Sequence, residues 1–335
     1  MVAALETRPF QVLDLRGISA TALGPVLEQE IQDWRENFDW DFRHLSELIR
    51  KLMRIQALNG YALLADQEPC GYAYYLTDEH KGLIGNLYLL PACRTVANEN
   101  RLLGAVLNSL RSNPYIHRIE SQLMLLSRCR REARPDAKFL RTWGRHFMEI
   151  PLAQISGLAP RAMSAPAVFM PWDDLWQEAA AVLIVEAYSG HVDAAINDQY
   201  CSVVGSRRFL TNIVHYAGCG NFFQPASYIA IEPVSRRLCG ISLTSMLADG
   251  VGHITQICVA PSLQGKGIGY ELLYRSLISL ARAGCRKVSL TVTAENIPAL
   301  RLYDRIGFRT RHTFTAMVWE GFGHGMKSEK ALLGK

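Results

Sequence analysis

The feature that most constrains this chain is a strand that runs into a glycine-rich turn and then into a helix. The turn contains Gly265, Gly267 and Gly269, and the helix begins near Ile268. Glycines leave backbone N–H groups uncovered and allow a ligand to approach closely. The N-terminus of a helix adds about half a positive charge, so this turn is suited to an anion such as a pyrophosphate. Lys266 adds a positive charge beside it.

Two common phosphate-binding motifs do not match this turn. A Walker A loop carries a Lys followed by Ser or Thr after its last glycine, whereas Ile268 and Gly269 stand here. The dinucleotide-binding fingerprint needs a G-x-G-x-x-G spacing, but these glycines alternate and position 270 is Tyr. On the turn alone, a glycine-rich helix entry that holds no ligand stays open as an alternative.

A second motif follows the next predicted strand. Residues 296–308 read N-x-x-A-x-x-L-Y-x-x-x-G-F, from Asn296 to Phe308. This motif and the earlier Gln264-x-x-Gly267-x-Gly269 together resemble the two signatures of the GNAT acetyltransferase superfamily. The close resemblance covers residues 251–320, and the order of predicted elements extends it back to about residue 164.

The resemblance implies a role for each residue of the two motifs. The pantetheine arm of the coenzyme would pair with the backbone of the strand before the turn, and the amides of the turn would hold the pyrophosphate. Asn296 would lie beside the pantetheine, where this strand separates from the strand at 288–293. The expected coenzyme-binding residues are Ile257, Cys258, Val259, Gln264, Gly265, Lys266, Gly267, Ile268, Gly269, Tyr270 and Asn296.

The resemblance also implies that the hydroxyl of Tyr303 points at the thioester sulfur. A lysine-type amine has a pKa of about 10.4, so the site must remove a proton before the amine attacks. The intermediate then expels a thiolate, and a tyrosine hydroxyl can act as the acid that stabilises this departure. The alternative is that Tyr303 is only a buried aromatic anchor of its short helix.

The expected base is His253. In the histone-acetylating branch of the superfamily a glutamate base lies near the start of the strand before the phosphate loop, and His253 occupies that place here. With an ordinary pKa of about 6.5, an imidazole suits a base or a relay through water. The alternatives are a strand-edge histidine that faces solvent and a water that acts without any base. Thr255 and Gln256 could only position a water.

Acceptor contacts are expected from the helices before the sheet. The stretch 188–193 is a polar turn that contains His191 and Asp193, and Tyr200 follows it. Helix capping by Ser189 and Asp193 is the alternative interpretation of this turn.

Composition favours two globular domains without nucleic acid, metal or membrane as partners. The chain has 335 residues, of which 49% are hydrophobic and 20% charged, with a net charge of +5. The eight cysteines show no CxxC spacing, and no apolar run reaches the roughly 20 residues of a membrane helix. No secretory signal precedes the first strand, so we expect a reduced, cytoplasmic protein. The only dense basic patch is predicted to be a solvated loop, formed by Arg128, Arg130, Arg131 and Arg134.

The two halves show a similar order of predicted elements, which indicates a duplicated α/β fold. We predict two tandem GNAT-like domains, each a mixed, mostly antiparallel sheet flanked by helices. A degenerate domain spans 1–155, a linker 156–166, and the acyl-CoA-binding catalytic domain 167–335. Predicted strands cover 10–15, 61–65, 71–76, 83–90, 118–126, 167–170, 227–232, 238–246, 253–259, 288–293 and 311–319, and predicted helices cover 20–35, 42–55, 97–110, 175–188, 191–204, 207–216, 268–283 and 298–305.

The first half lacks the phosphate-binding turn. Pro91 ends its strand, but no glycine follows before Glu99, whose charge would repel a pyrophosphate. Gly144 is the only hint of the final turn of the second motif. Residues 1–155 are therefore predicted to have lost coenzyme binding.

The sequence predicts an N-acyltransferase that moves an acetyl group from acetyl-CoA to an amine of a small molecule or peptide. The alternative is an acyl-CoA-binding sensor or regulatory module without turnover. Tyr303 favours the enzyme, because binding alone needs no acid at the sulfur. The sequence does not choose the acceptor or the oligomeric state.

Overall fold

A computed structural model describes residues 10–216 and 219–322, which form two compact units. Among these residues, unit 1 comprises 10–32, 46–143 and 314–322, and unit 2 comprises 33–45 and 144–313. In chain order the elements are β1 (Phe10–Asp14), α1 (Gly24–Phe38), α2 (Arg43–Arg54), β2 (Gly60–Ala65), β3 (Glu68–Asp78), β4 (Lys81–Leu89), α3 (Val96–Ser112), β5 (Arg118–Gln122), β6 (Leu140–Pro151), β7 (Val168–Pro171), α4 (Gln177–Tyr188), α5 (Val192–Ile196), α6 (Val203–His215), β8 (Asn221–Phe222), β9 (Tyr228–Ile231), β10 (Leu238–Ala248), β11 (Val251–Val259), α7 (Ile268–Arg282), β12 (Lys287–Thr293), α8 (Ile297–Ile306) and β13 (Arg309–Glu320).

Unit 1 is a sheet in the order β1-β2-β3-β4-β5-β13. Only β4 and β5 pair in parallel, and the other neighbours are antiparallel. The helix α3 repeats leucine and valine at helical spacing, from Leu102 to Leu110, and buries this stripe against the strands. Thr95 caps the helix, since its side chain accepts a hydrogen bond from the N–H of Asn98.

Unit 2 is a sheet in the order β6-β12-β11-β10-β9-β7, with β8 paired to β10. Only β11 and β12 pair in parallel. Alternate residues of β10 face opposite layers, as the period of a strand requires. Ile241 and Leu243 pack with α4 and α6, whereas the hydroxyl of Ser242 lies 2.9 Å from that of Ser276 in α7. The predicted α/β class with mostly antiparallel sheets flanked by helices is therefore confirmed.

The strand β6 was not predicted, and Gly144 lies inside it rather than in a turn. The carbonyl of Gly144 accepts a hydrogen bond from the N–H of Ala294 at 2.9 Å. Charged residues and Gly144 interrupt the alternation of apolar residues, so the pattern for a strand is weak. Met148 and Ile150 of this strand are nevertheless buried in the core of unit 2.

The predicted helix 191–204 is wrong, because local side-chain caps divide it. Asn197 accepts from the N–H of Gln199, and Ser202 accepts from the N–H of Gly205. These bonds satisfy amides that a continuous helix would have used. A short α5, a single 3-10 turn and α6 take its place.

The predicted solvated basic loop is wrong at one residue. Arg134 is only 6% exposed and donates to Glu99 Oε2 at 2.9 Å. Glu99 also accepts from the N–H of Ser127 at 2.8 Å, so the loop folds onto the first turn of α3. In residues 10–216 and 219–322, no helix is long and apolar enough to span a membrane.

The place of β6 leads to a prediction about shortened chains. A chain cut to 167–335 loses the pairing of β6 with β12 at seven positions and the buried Met148 and Ile150. Each such side chain stabilises a fold by about 1.5–3 kcal/mol, out of a total of about 5–15 kcal/mol. We expect 167–335 to show no cooperative thermal transition in circular dichroism, whereas the full chain should show one. A cooperative transition in 167–335 would contradict this account of unit 2.

Candidate active site

The candidate site is an opening between β11 and β12. Their parallel pairing stops at Ile254 and Leu290, after which β12 continues beside β6 and β11 beside β10. The two strands therefore separate and leave a cavity of about 110 Å³ between them. The cavity is lined by Arg145, Tyr188, Asp193, Tyr200, Ile254, Thr255, Gln256, Ile257, Leu290, Thr291, Val292, Asn296, Ala299 and Tyr303.

A β-bulge lies at the point where the strands separate. Leu243 pairs with Gln256 and Thr244 pairs with Ile254, so Thr255 is an extra residue in β11. Such bulges redirect side chains and backbone groups and are common beside functional sites. Here all four residues from Ile254 to Ile257 line the cavity.

The helix α8 positions Tyr303. Asn296 caps the helix by accepting from the N–H of Ala299 at 3.3 Å, and Gly307 ends it with a φ of 115°. Tyr303 is 6% exposed, and burial raises its pKa, with the charge of Asp193 adding to the rise. Its hydroxyl is therefore protonated at neutral pH and can donate a proton or a hydrogen bond.

The glycine-rich turn uses backbone conformations that favour glycine, and it ends at a helix N-terminus without a side-chain cap. Gly265 and Gly267 have φ values of 74° and 95°, which favour glycine over any side chain. Gly267 is the N-cap of α7 and makes no side-chain cap hydrogen bond. The Nε2 of Gln264 donates to the carbonyl of Val259 at 3.1 Å, which ties the turn to the end of β11.

The residues before β7 pack against this turn. The N–H of Ser164 donates to the carbonyl of Lys266 at 3.1 Å, and the hydroxyl of Tyr270 donates to the carbonyl of Ala159 at 2.9 Å. The side chain of Tyr270 is thus directed to residues 159–164.

The structure brings together only some of the predicted site residues. Ile257, Asn296 and Tyr303 line one cavity. Cys258 and Val259 lie on the same strand, and the turn residues 264–270 follow it, but none of them lines the cavity. The thiol of Cys258 packs with α4 and α6, where burial raises its pKa to about 12.

His253 lies outside the lining of the cavity. It is 6% exposed, and its Nδ1 is 2.8 Å from the hydroxyl of Ser289. Its ring stacks on Phe147 and approaches Trp40, with both centroids 6.1 Å away. Burial lowers the pKa of His253 to about 4, so the imidazole is neutral at pH 7.

The cavity contains a charged pair that was not predicted from the sequence. The Nη1 of Arg145 donates to Asp193 Oδ1 at 2.9 Å and to the hydroxyl of Thr293 at 2.8 Å. Arg145 lies on the unpredicted strand β6, so no local signal pointed to it. The cap of α5 is His191, whose Nδ1 accepts from the N–H of Asp193. The carboxylate of Asp193, expected as a possible cap, lines the cavity instead.

Two stacked tyrosines form the neighbouring wall of the cavity. The rings of Tyr188 and Tyr200 lie 4.4 Å apart, and Gln256 Nε2 donates to the hydroxyl of Tyr188 at 3.0 Å. Burial raises the pKa of both tyrosines. Within the described ranges, no group of three or more His, Cys, Asp or Glu side chains is placed to hold a metal ion.

Most of this site lies in a part of the chain that resembles a known protein family. The acetyltransferase (GNAT) family profile matches residues 191–308, which run from α5 to the end of the Tyr303 motif. Residues 191–308 thus carry a GNAT domain. The matched range includes the bulged strand β11, the glycine-rich turn and α8, which form a large part of the candidate site.

Similar proteins include curated mycothiol acetyltransferases. One from Saccharopolyspora erythraea is 33% identical over 88 residues, which cover 26% of this chain and 29% of the relative. One from Thermomonospora curvata is 38% identical over 96 residues, which cover 29% and 32%. The chain thus spans about a third of the length of the curated relatives it matches.

Solved GNAT structures share the fold over nearly the whole chain. A GCN5-related N-acetyltransferase from Sphaerobacter thermophilus covers 94% of this chain and 97% of its own, with a TM-score of 0.62 and 18% identity. A tandem GNAT protein from the clavulanic acid biosynthesis pathway covers 95% and 100%, with a TM-score of 0.58 and 13% identity. The prediction of the superfamily and of its tandem form is confirmed.

The buried imidazole of His253 predicts a pH dependence of stability. Its pKa is about 4 in the folded protein and about 6.5 in an unfolded chain, so folding favours the neutral form. Above pH 6.5 the imidazole is neutral in both states, and the folded protein keeps its full stability. As the pH falls from 6.5 towards 4, the unfolded chain gains a proton that the folded protein does not, so the free energy of unfolding decreases by about 3 kcal/mol. Urea unfolding between pH 7 and 4 should show a steeper loss of stability in the wild type than in His253→Gln.

The matched control is His215→Gln, which removes an exposed imidazole from the end of α6. It should keep the slope of the wild type. Equal slopes in the wild type and His253→Gln would mean that His253 is accessible to protons in the folded state.

Proposed function

We propose that unit 2 of this chain transfers an acetyl group from acetyl-CoA to a primary amine by direct attack on the thioester. The observation that carries this proposal is the opening between β11 and β12. Beyond Ile254 the edge of β11 that faces β12 is no longer paired with it. Tyr303 and Asn296 line this opening, and the glycine-rich turn follows at the end of the same strand.

The exposed edge of β11 suits the extended arm of the coenzyme. We infer that the backbone of residues 257–259 pairs with the pantetheine as an added strand would. The amides of residues 264–270, at the N-terminus of α7, would then hold the pyrophosphate. Gly267 in the left-handed conformation keeps side chains away from that position.

The proposed reaction balances with one proton released. The acceptor ammonium loses a proton, its nitrogen attacks the thioester carbonyl, a C–N bond forms and the C–S bond breaks. Tyr303 gives its proton to the departing sulfur and regains one from solvent, and the nitrogen loses its second proton to water once it is bonded to the acetyl group. The products are therefore the acetylated amine, CoA and one proton. The ammonium proton leaves through water in the cavity. His253 would act only through such a relay, because it does not line the cavity.

The acceptor is proposed to be a small-molecule amine. The curated relatives are named for mycothiol, so a mycothiol-type acceptor comes first in a panel that also contains polyamines, amino acids and peptide N-termini. Release of free CoA with any of these amines separates the enzyme from a sensor that binds acyl-CoA without turnover.

Coenzyme binding is expected to depend on Gly267. In Gly267→Glu a carboxylate stands beside the proposed pyrophosphate, and two like charges at about 4 Å repel by about 4 kcal/mol at the surface of a protein. We expect acetyl-CoA affinity, measured by calorimetry, to fall by at least about 100-fold. The control is Gly284→Glu, which has the same left-handed strain at the other end of α7 and open space around it. Affinity retained in Gly267→Glu would make the turn purely structural.

Tyr303→Phe is expected to lower turnover by about 10²–10⁴-fold, with little change in acetyl-CoA affinity. The hydroxyl is proposed to act on the departing sulfur, so its effect belongs to the transition state. The measurement is CoA release at saturating acetyl-CoA, together with calorimetry. Tyr228→Phe is the control, because its hydroxyl contacts Ser279, away from the cavity. Unchanged turnover in Tyr303→Phe would remove the acid and favour the sensor.

A further inference from the structure

We propose that Asp193 holds the acceptor amine as an ammonium ion and that Arg145 positions its carboxylate. This inference rests on the proposed acetyl transfer and names the substrate class for the same cavity. Asp193 and Arg145 are 13% and 14% exposed at their side chains, and both line the cavity together with Tyr303. Asp193 is the acidic residue of that lining.

One oxygen of the Asp193 carboxylate is already held by the protein. Oδ1 accepts from Arg145 Nη1 at 2.9 Å and from the hydroxyl of Thr293. Arg145 makes this contact through Nη1, whereas its buried Nε has no hydrogen-bond partner among the described residues. An unpaired buried donor is unfavourable, so packing alone does not explain the arrangement. We infer that Arg145 and Thr293 fix the orientation of the carboxylate.

The other oxygen, Oδ2, retains its capacity to accept hydrogen bonds. Nδ1 of His191 lies 3.5 Å from this oxygen. That nitrogen already accepts from the N–H of Asp193 at 3.1 Å, so its lone pair points at the backbone and it does not donate to Oδ2. Oδ2 can therefore accept from a donor that enters the cavity.

A primary amine is mostly an ammonium at neutral pH, and it must enter the cavity in that form before it loses a proton. Burial of a cation is costly unless it is paired with an opposite charge. The carboxylate of Asp193 supplies this charge, and the stacked faces of Tyr188 and Tyr200 add a surface that is favourable to a cation. A carboxylate next to the amine would face Asp193. The substrate class is thus a cationic primary amine without an adjacent carboxylate.

The experiment compares cationic and neutral nucleophiles in the full chain. Ethanolamine, propylamine and putrescine are the primary amines, which are mostly cationic at pH 8, and hydroxylamine is a nucleophile that is neutral at that pH. In Asp193→Asn we expect kcat/KM for the primary amines to fall by about 10- to 100-fold. The affinity for acetyl-CoA should stay within about twofold, and the rate with hydroxylamine should fall by less than the rate with the primary amines, since only the primary amines present an ammonium to Asp193.

Two further variants test the local origin of the effect. Glu186→Gln removes a negative charge from α4 at a residue that contacts Arg237 and does not line the cavity, so it should leave all rates unchanged. Arg145→Gln should raise KM for the primary amines, and its effect should largely disappear in the Asp193→Asn background, because Arg145 acts through Asp193. Additive effects of the two substitutions would overturn the positioning role.

If Asp193→Asn does not fold, a measurement on the wild type tests the inference. The charged and titratable groups that face Asp193 are Arg145, His191, Tyr188, Tyr200 and Tyr303, and burial raises the pKa of the three tyrosines. If the ammonium is the form that binds, KM for total ethanolamine should be constant between pH 7.5 and 8.5. A tenfold fall over that range would show that the neutral amine binds, and would overturn the inference.

The outcomes separate this inference from the proposed function. If the wild type releases no CoA with any of these nucleophiles, the acetyl transfer itself is wrong. If the wild type is active and Asp193→Asn uses primary amines as well as the wild type does, only the role of Asp193 is wrong. An equal loss with hydroxylamine and primary amines would also overturn it, because Asp193 would then act on the coenzyme or the fold.

Discussion

The end of the parallel pairing between β11 and β12 is the constraint on which the candidate site depends. Backbone groups of a buried strand require partners, and a strand edge without a neighbour offers a row of hydrogen-bonding groups. After Ile254 and Leu290, each strand keeps only its outer neighbour. The bulge at Thr255 falls at this point, and α8 places Tyr303 against the opening. In the proposed reaction the coenzyme, the acid Tyr303 and the acceptor amine all lie at the opening between these two strands.

Unit 1 has a similar framework, but its own side chains occupy the corresponding places. The pairing of β4 with β5 stops at Ile84, where β4 also has a bulge. Arg94 donates to the carbonyl of Leu89, just as Gln264 donates to that of Val259 in unit 2. No glycine follows Arg94 in the turn, and the first turn of α3 instead holds Glu99 in its pair with Arg134. The Glu99–Arg134 ion pair thus lies where unit 2 has the helix entry after its glycine-rich turn. The loss of coenzyme binding in the first half stays a prediction.

The compact units do not follow the linear order of the chain, so the division into 1–155, 156–166 and 167–335 stays a prediction. Unit 2 includes residues 144–151 of β6 and residues 33–45, all from the first half of the chain. Asp39 from that segment pairs with Lys287 at 2.7 Å and with Arg311. The strand β6 then supplies both core residues and the cavity residue Arg145.

Local sequence determined the elements and the motif residues of this protein, because glycine conformations, helix caps and apolar periodicity act within a few residues. The turn at 264–270, the cap at Asn296 and the position of Tyr303 in α8 are of this kind. Tertiary structure decided which strand lies beside β12, and with it the contact of Arg145 with Asp193, residues 48 positions apart. It also decided that His253 is buried and has a lowered pKa. Burial and the approach of distant charges depend on packing that no local pattern records.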